Sequence, residues 1–398
     1  MQIDGHYTGT YVAARVAGFS HSEAHKIAYA AQYVDDADNE GVIFFRDSEY
    51  LYCRIASAHK ALDYQNLLEP SNHLVWLPFH FLPGNGGLPA NEEPANGEHE
   101  KLICRPDSHV ARDMLRSCLA DKGRSRELHR LGIAMHVYAD TFSHQNFVGA
   151  LHRANKVTGL GSDDKSIDVL LQGNPISAAM AELGGSIRGF LRKLIQWVLT
   201  AFFVMRQEGK GPLEYWKEIS ADQPLGHATA GSYPDLPFLV WHYRNGKNEP
   251  LITRDNPSDF LTAVDMMTRA MQAWRNDDES MDLMKYEGLG AADRAVVSEL
   301  FSGLRAIEGE ERRLAWEKAI REGRFSFGPA EPHYIGKGKD SWKHQALNTE
   351  KEKDAKFERY PYSEHFLESD WKLFHDALQV HRSAIVHDIL PRYKICAA

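Results

Sequence analysis

The sequence predicts a mainly α-helical protein, a single multi-helix domain carrying long loop insertions. Three observations support this. Apolar residues recur at threes and fours through most of the 398 residues. Helix-start signals precede several of those runs. Strand-like alternation is confined to short pieces, and neither an internal repeat nor an obvious linker divides the chain. Residues 1–398 therefore read as one helical metal-binding domain, with a core over about 1–275 and a C-terminal helical extension over about 276–398.

In chain order, residues 7–34 place Tyr11, Val12, Ala14 and Val16, then Ala24, Ile27, Ala28 and Ala31, at helical spacing. Gly18-Phe19-Ser20 breaks the run, and Ser20 with Glu23 forms a capping box for the second helix, which ends in Asp35-Asp36. Residues 41–55 suggest one or two short strands, and Pro78 to Pro94 is loop by composition. Helices are predicted at 107–121 and 124–152, a polar connector at 155–174, and a long helical stretch at 176–208. The segment Pro224 to Pro237 is too rich in Gly and Pro to be regular. Helical periodicity returns at 257–276 and 291–320. A polar surface loop is expected over 327–362 and a terminal helix over 363–389.

Composition excludes several classes. A net charge of −9, from 46 basic and 55 acidic residues, offers no bulk attraction to nucleic acid or anionic membrane. The four cysteines form no CxxC pair, which argues against thiolate zinc and against a disulfide framework. No apolar stretch is long enough to span a bilayer: the longest, Leu194 to Met205, is interrupted by Gln196. No secretory signal is visible, so the expected location is cytoplasmic, or exported without a cleavable signal peptide. Oligomeric state has no signature in the chain.

Twenty histidines are many for this length, and one stretch organises them: His136-Val-Tyr-Ala-Asp140-Thr-Phe-Ser-His144. On a helix each four-residue step advances about 40° past a full turn, so the three polar residues lie on one drifting stripe. The two histidine Cα atoms are then roughly 12 Å apart along the axis. That is awkward for one metal ion and comfortable for two, with Asp140 between them. Three further places put zinc-type ligands at helix ends or turns: Asp4 with His6, Asp35 with Asp36, and His227 with Asp235. Imidazole mixed with carboxylate, without thiolate, suits catalytic rather than structural zinc. Each place also has a plain reading, as an idle terminus, a helix end or a turn. Aspartates at a helix C-terminus oppose the dipole, however, which asks for a functional reason at Asp35-Asp36. His80, between Phe79 and Phe81, reads as a packed loop histidine. His375, His381 and His387, spaced at six around the last helix, read as surface or packing residues.

Read in order, these motifs resemble the zinc-dependent phospholipase C family and its relatives, the fungal-type single-strand nucleases. A bacterial branch of that group, known only as a domain of unknown function, is similar in Asp4-Gly-His6-Tyr7, Tyr33-Val34-Asp35-Asp36, the His136 to His144 stretch, and Gly226-His227 with Pro234-Asp235-Leu-Pro237. The resemblance covers the metal-facing segments up to about residue 275. It implies an all-helical fold with a cluster of two or three Zn2+ ions, in which Asp140 bridges. His136 shares one ion with Asp35 or Asp36; His144, His227 and Asp235 hold another; Asp4 or His6 serves a third. It also implies a histidine between the early aspartate and the helical pair, for which His80 or His73 is available. Two departures stand out. The phospholipases use the amino group of a processed N-terminus, whereas this chain begins with Met1, and their late acid follows its histidine by one helical turn rather than by eight residues.

The resulting expectation is a metal-dependent phosphoester hydrolase, phospholipase C-like. Asp35 or Asp36 serves as the catalytic base, and the substrate is a phospholipid or a nucleotide or nucleic acid. The apolar run Leu194 to Met205 would favour lipid, and the cluster Arg112, Arg116, Lys122, Arg124, Arg126 and Arg130 would favour single-stranded nucleic acid. The rivals are a non-catalytic metal-stabilised helical scaffold and a carboxylate-bridged di-iron bundle. The second is disfavoured because Glu127-Leu-His129 and Glu23-Ala-His25 miss the Glu-x-x-His spacing.

Overall fold

The computed structural model describes residues 1–46, 48–59, 69–173, 224–245, 249–355 and 357–397. It is mainly helical, with two small three-stranded sheets among the described residues. The stretch predicted as a helix over 176–208, including Leu194 to Met205, lies outside the described residues.

The chain enters through a π-helical turn, Asp4–Gly9, that runs directly into α1 (Thr10–Val16). Helix α2 (His21–Asp36) starts on the predicted capping box: the Ser20 hydroxyl accepts from the Glu23 amide, and the Glu23 carboxylate accepts from the Ser20 amide. Strands β1 (Gly41–Arg46) and β2 (Leu51–Arg54) form a hairpin. Helices α3 (Glu69–Phe79), α4 (His99–Leu102) and α5 (His109–Leu119) follow, and then α6 (Glu127–Ser143).

Helix α6 is the centre of the molecule. Every residue from His129 to Ser143 is buried, because α2, α3 and α5 pack around it together with α8 and α12, introduced below. Gly132 permits the closest of these approaches. A Cβ there would run into the Ile27 carbonyl oxygen and come within 2.7 Å of the Ala30 methyl. The α6 helix stops at Ser143, short of the predicted 152. His144 is its C-cap, and Asn146, with φ 74°, turns the chain away.

Residues 155–174 are more than a connector. They form β3 (Thr158–Ser162) and α7 (Lys165–Gly173), and β3 pairs with β4 (Val240–Arg244), which pairs with β5 (Ile252–Asp255). The glycines that suggest a loop there sit in a strand that tolerates a register shift. Helix α8 (Asn256–Arg275) begins the C-terminal half, followed by α9 (Ala291–Gly303) and α10 (Gly309–Arg321). Residues 327–362 are likewise more than a surface loop. They contain α11 (Trp342–Leu347) and β6 (Arg359–Pro361), which adds to β1 in parallel. A few large rings, hidden in a polar stretch, anchor it: Trp342 is buried and stacks on Tyr29 of α2 at 3.9 Å between centroids. Helix α12 (Asp370–Ser383) and a π-helical turn Ala384–Ile389 close the chain.

The main core draws on both ends of the sequence. Tyr11, Met135 and Met267 pack in one cluster with Phe301, Trp316 and Ile389, so residues 276–398 share the interior of residues 1–275 rather than forming a separate layer.

Candidate metal centre

Four elements deliver donors to one buried spot beside α6. The entry turn carries His6, the end of α2 carries Asp35, the residue after α3 is His80, and α6 supplies His136, Asp140 and its C-cap His144. A fifth segment, the turn Gly226 to Asp235, brings His227 and Asp235. Gly226 takes φ 49°, and a Cβ there would meet the Phe81 ring at 2.5 Å, so glycine lets this turn close onto the site. The Phe81 ring in turn stacks on His144 at 4.5 Å between centroids.

Asp140 is the hub. Its Oδ1 lies 2.8 Å from the Met1 α-amino nitrogen and 3.1 Å from His6 Nε2. Its Oδ2 lies 3.2 Å from His136 Nε2, 3.3 Å from His80 Nδ1 and 3.5 Å from His144 Nδ1. Asp35 sits 3.8 Å from both His80 Nδ1 and His136 Nε2. On the far side, Asp235 lies 3.5 Å from His144 Nε2, 3.5 Å from His227 Nε2 and 3.2 Å from the Met1 nitrogen. Three sets of donors are close enough to hold an ion: His6, His136 and Asp140; Asp35, His80 and His136; His144, His227 and Asp235.

The ring orientations carry chemical information. His80 Nε2 faces the Ser57 carbonyl at 2.8 Å, His144 Nδ1 faces the His80 carbonyl at 2.8 Å, and His227 Nδ1 faces the Gly231 carbonyl at 2.9 Å. A carbonyl oxygen can only accept, so each of these nitrogens carries the N–H. In the neutral ring the opposite nitrogen then presents a lone pair, and in all three cases that nitrogen faces a carboxylate oxygen. A lone pair aimed at a carboxylate is repulsive unless a proton or a metal cation lies between them. Backbone carbonyls that fix histidine tautomers in this way are the usual outer support of metal ligands. Buried nitrogens without hydrogen-bond partners point the same way: both ring nitrogens of His6 and Nδ1 of His136 have none.

The electrostatics suit a cation. Burial pushes the pKa of His6 and of His136 down to about 4, so both rings are neutral donors at physiological pH. Burial also works against the charge of Asp140, but His144, the Met1 ammonium, His6 and His136 outweigh it and hold that carboxylate far below the ordinary range. Asp235 is likewise lowered despite its burial, chiefly by the Met1 ammonium and His227. The Met1 ammonium is itself raised to about 11, its burial being overcome by Asp140 and Asp235. Asp35 differs: loss of water around it raises its pKa, and its side chain keeps 33% exposure where those of His6, His136 and Asp140 keep 1% or less. The centre is open at Asp35.

Of the sequence-predicted donors, His6, Asp35, His136, Asp140, His144, His227 and Asp235 come together. Asp4 and Asp36 do not. The Asp4 carboxylate is gripped by the Arg312 guanidinium, at 2.6 and 3.0 Å, and faces away from the donors. Asp36 accepts from the Tyr334 hydroxyl at 2.7 Å and lies 3.7 Å from Lys337, because successive helical residues diverge by about 100°. His80 belongs to the centre, contrary to its plain reading, and so does the Met1 amine. His80 sits beside two aromatic residues because the same segment both packs and ligates. Its one sequence signal is its place between Asp35 and His136.

A mainly helical chain whose central helix gathers imidazoles and carboxylates from five segments is, by class, a candidate metal-binding helical protein. Residues 1–389 match the model of a family of unknown function, DUF6765, and the chain belongs to that family. No curated protein and no solved structure matches it.

Proposed function

We propose that this protein is a metal-dependent hydrolase of phosphoester bonds, built around a two-ion centre with zinc as the favoured metal. The observation that carries the reading is a pair of donor sets that share no residue: His6, His136 and the buried Asp140 in one, and His144, His227 and Asp235 in the other. His136 belongs to two of the donor sets but has one Nε2 lone pair, so those two sets compete, and only the His144, His227 and Asp235 set is independent. Two ions rather than three follow from that sharing. Ions held there would act as Lewis acids, lowering the pKa of a bound water towards 7 and neutralising charge on phosphoryl oxygens.

The protein residues supply the rest. Asp35, on the open side and with a raised pKa, accepts the proton of the attacking water, while Asp36 is occupied by Tyr334 and Lys337. A new P–O bond forms as the bond to the leaving alcohol breaks. The rings of His6 and His136, neutral at physiological pH, would hold an ion together with Asp140. Nothing among the described residues forms a membrane-spanning helix.

The test is metal content by plasma mass spectrometry on protein never exposed to chelator, paired with turnover of bis(p-nitrophenyl) phosphate. The expected result is about two zinc ions per chain, with turnover abolished by chelator and restored by zinc. Asp140→Asn should lower the metal content and abolish turnover. Full metal content and full turnover in that variant would refute the assignment. Metal without turnover on any phosphoester would leave a metal-stabilised scaffold.

A further inference from the structure

Three of the histidines at the centre are oriented by a backbone carbonyl. His6 is not: neither ring nitrogen meets a backbone carbonyl or makes a well-formed hydrogen bond, its Nε2 lies 3.1 Å from Asp140 Oδ1, and its ring stacks on His136 at 3.8 Å between centroids. Its position therefore depends on where the backbone of the entry turn is held. That turn is held from the other end of the chain. Arg312, on α10, donates from Nε to Asp4 Oδ2 at 2.6 Å, and from Nη2 to Asp4 Oδ1 at 3.0 Å and Gln2 Oε1 at 2.6 Å. Its Nη1 donates to the Ala306 and Ile307 carbonyls at 2.6 and 2.9 Å. All five N–H donors of the guanidinium are thus used, three of them on the two residues just ahead of the donor segment. Both side chains of the ion pair are fully buried. A buried pair gains little over apolar packing in stability, and its attested use is to select one arrangement among several.

Resting on the metal-centre reading above, we propose that Arg312 is a positioning residue: it clamps Gln2 and Asp4 so that His6 is presented to Asp140 and His136. The C-terminal extension thereby becomes a working part of the centre. A lysine cannot replace it, because one ammonium cannot hold a carboxylate at two points and an amide besides.

The experiment titrates the full-length apo-protein with Zn2+ in competition with a chromophoric chelator. It compares the wild type, Arg312→Lys, and the double variant Asp4→Leu/Arg312→Met, with the apo-protein melting point measured for each. The double variant removes both charges together, so no unpaired charge is buried. Of two zinc-binding steps, the one served by His6 should weaken about 10–100-fold, as for other residues that orient ligands. The step at His144, His227 and Asp235 should not change, and Arg312→Lys should show an intermediate loss. Unchanged binding at both steps in either folded variant overturns the clamp. Equal weakening of both steps, in parallel with a lower melting point, also overturns it, since that is a loss of fold stability alone. If the double variant does not fold, Arg312→Lys, which keeps the charge, decides by the same criteria. A wild type that binds no zinc overturns the metal centre itself, and the clamp with it.

Discussion

His375 and His381 show how a residue's surroundings set its chemistry. Both are buried, although their spacing at six predicts scattering around a helix: α12 packs against α6, α11, α3 and β2 and is covered on more than one side. His381 donates from Nε2 to the Pro78 carbonyl at 3.0 Å, and its Nδ1 meets the Arg130 guanidinium, so the neutral ring is fixed in one tautomer and its pKa, pushed down first by burial and then by Arg130, lies well below the ordinary value. His375 is lowered to about 3, first by burial and then by Arg54. In both cases the folded pKa is below the unfolded one. Between pH 6.5 and the folded value the unfolded chain binds the extra proton, so stability is present above pH 6.5 and falls as pH drops. Each histidine should contribute a slope of about 1.4 kcal/mol per pH unit in that window. Urea unfolding between pH 7 and 4.5 should show this slope reduced by about that amount in His375→Gln. A slope identical to wild type would mean that His375 already titrates in the folded protein.

At the centre itself, His227→Ala should remove one ion and leave the other. The metal content should then fall from about two to about one per chain by mass spectrometry. The sequence shows Asp140 and its two histidines plainly, because a helix converts spacing into proximity. It cannot show that Asp4 faces Arg312, since that depends on a contact with a residue 308 positions away.

Among elements, the pairing of α2 with α6 matters most to the site, since one carries Asp35 and the other carries His136 and Asp140. Gly132 sets their separation. Alanine in a helix interior gains up to about 1 kcal/mol over glycine by propensity, but overpacking costs about 1–3 kcal/mol. With a backbone oxygen and the Ala30 methyl in the way, the cost should win. Gly132→Ala should lower the melting point and also lower phosphodiester turnover by moving the base Asp35 away from His136. A higher melting point with unchanged turnover would show that the helices can part without effect on the site. Most helices are legible from periodicity and capping, as the Ser20 and Glu23 box shows. The strands β3 and β6 are not, because one is glycine-bearing and the other is three residues long. Their pairing partners supply what their own residues lack.

For the whole molecule, the shared core implies that no fragment corresponding to residues 1–275 is stable alone. Removing the extension would expose the face of α8 whose Phe260 packs on Phe301 at 5.4 Å between centroids, and the face of the entry turn that packs on α10, which carries the fully buried Trp316. A chain truncated after Arg275 should be insoluble or should lose the near-ultraviolet signature of fixed aromatic packing, as measured by circular dichroism. If the truncated chain folded cooperatively and bound zinc, the extension would be an accessory.

The ion pair between Asp4 and Arg312 also has a place in time. During synthesis, a chain that has emerged as far as the end of α8 already presents His6, Asp35, His80, His136, Asp140, His144, His227 and Asp235 to the surrounding solution. It does not yet have the guanidinium that seats the first of these donors. Under the proposed clamp, completion of the centre waits for a residue made long after the last candidate donor, and a partly synthesised chain meets metal ions with its donors present and its entry turn unfastened.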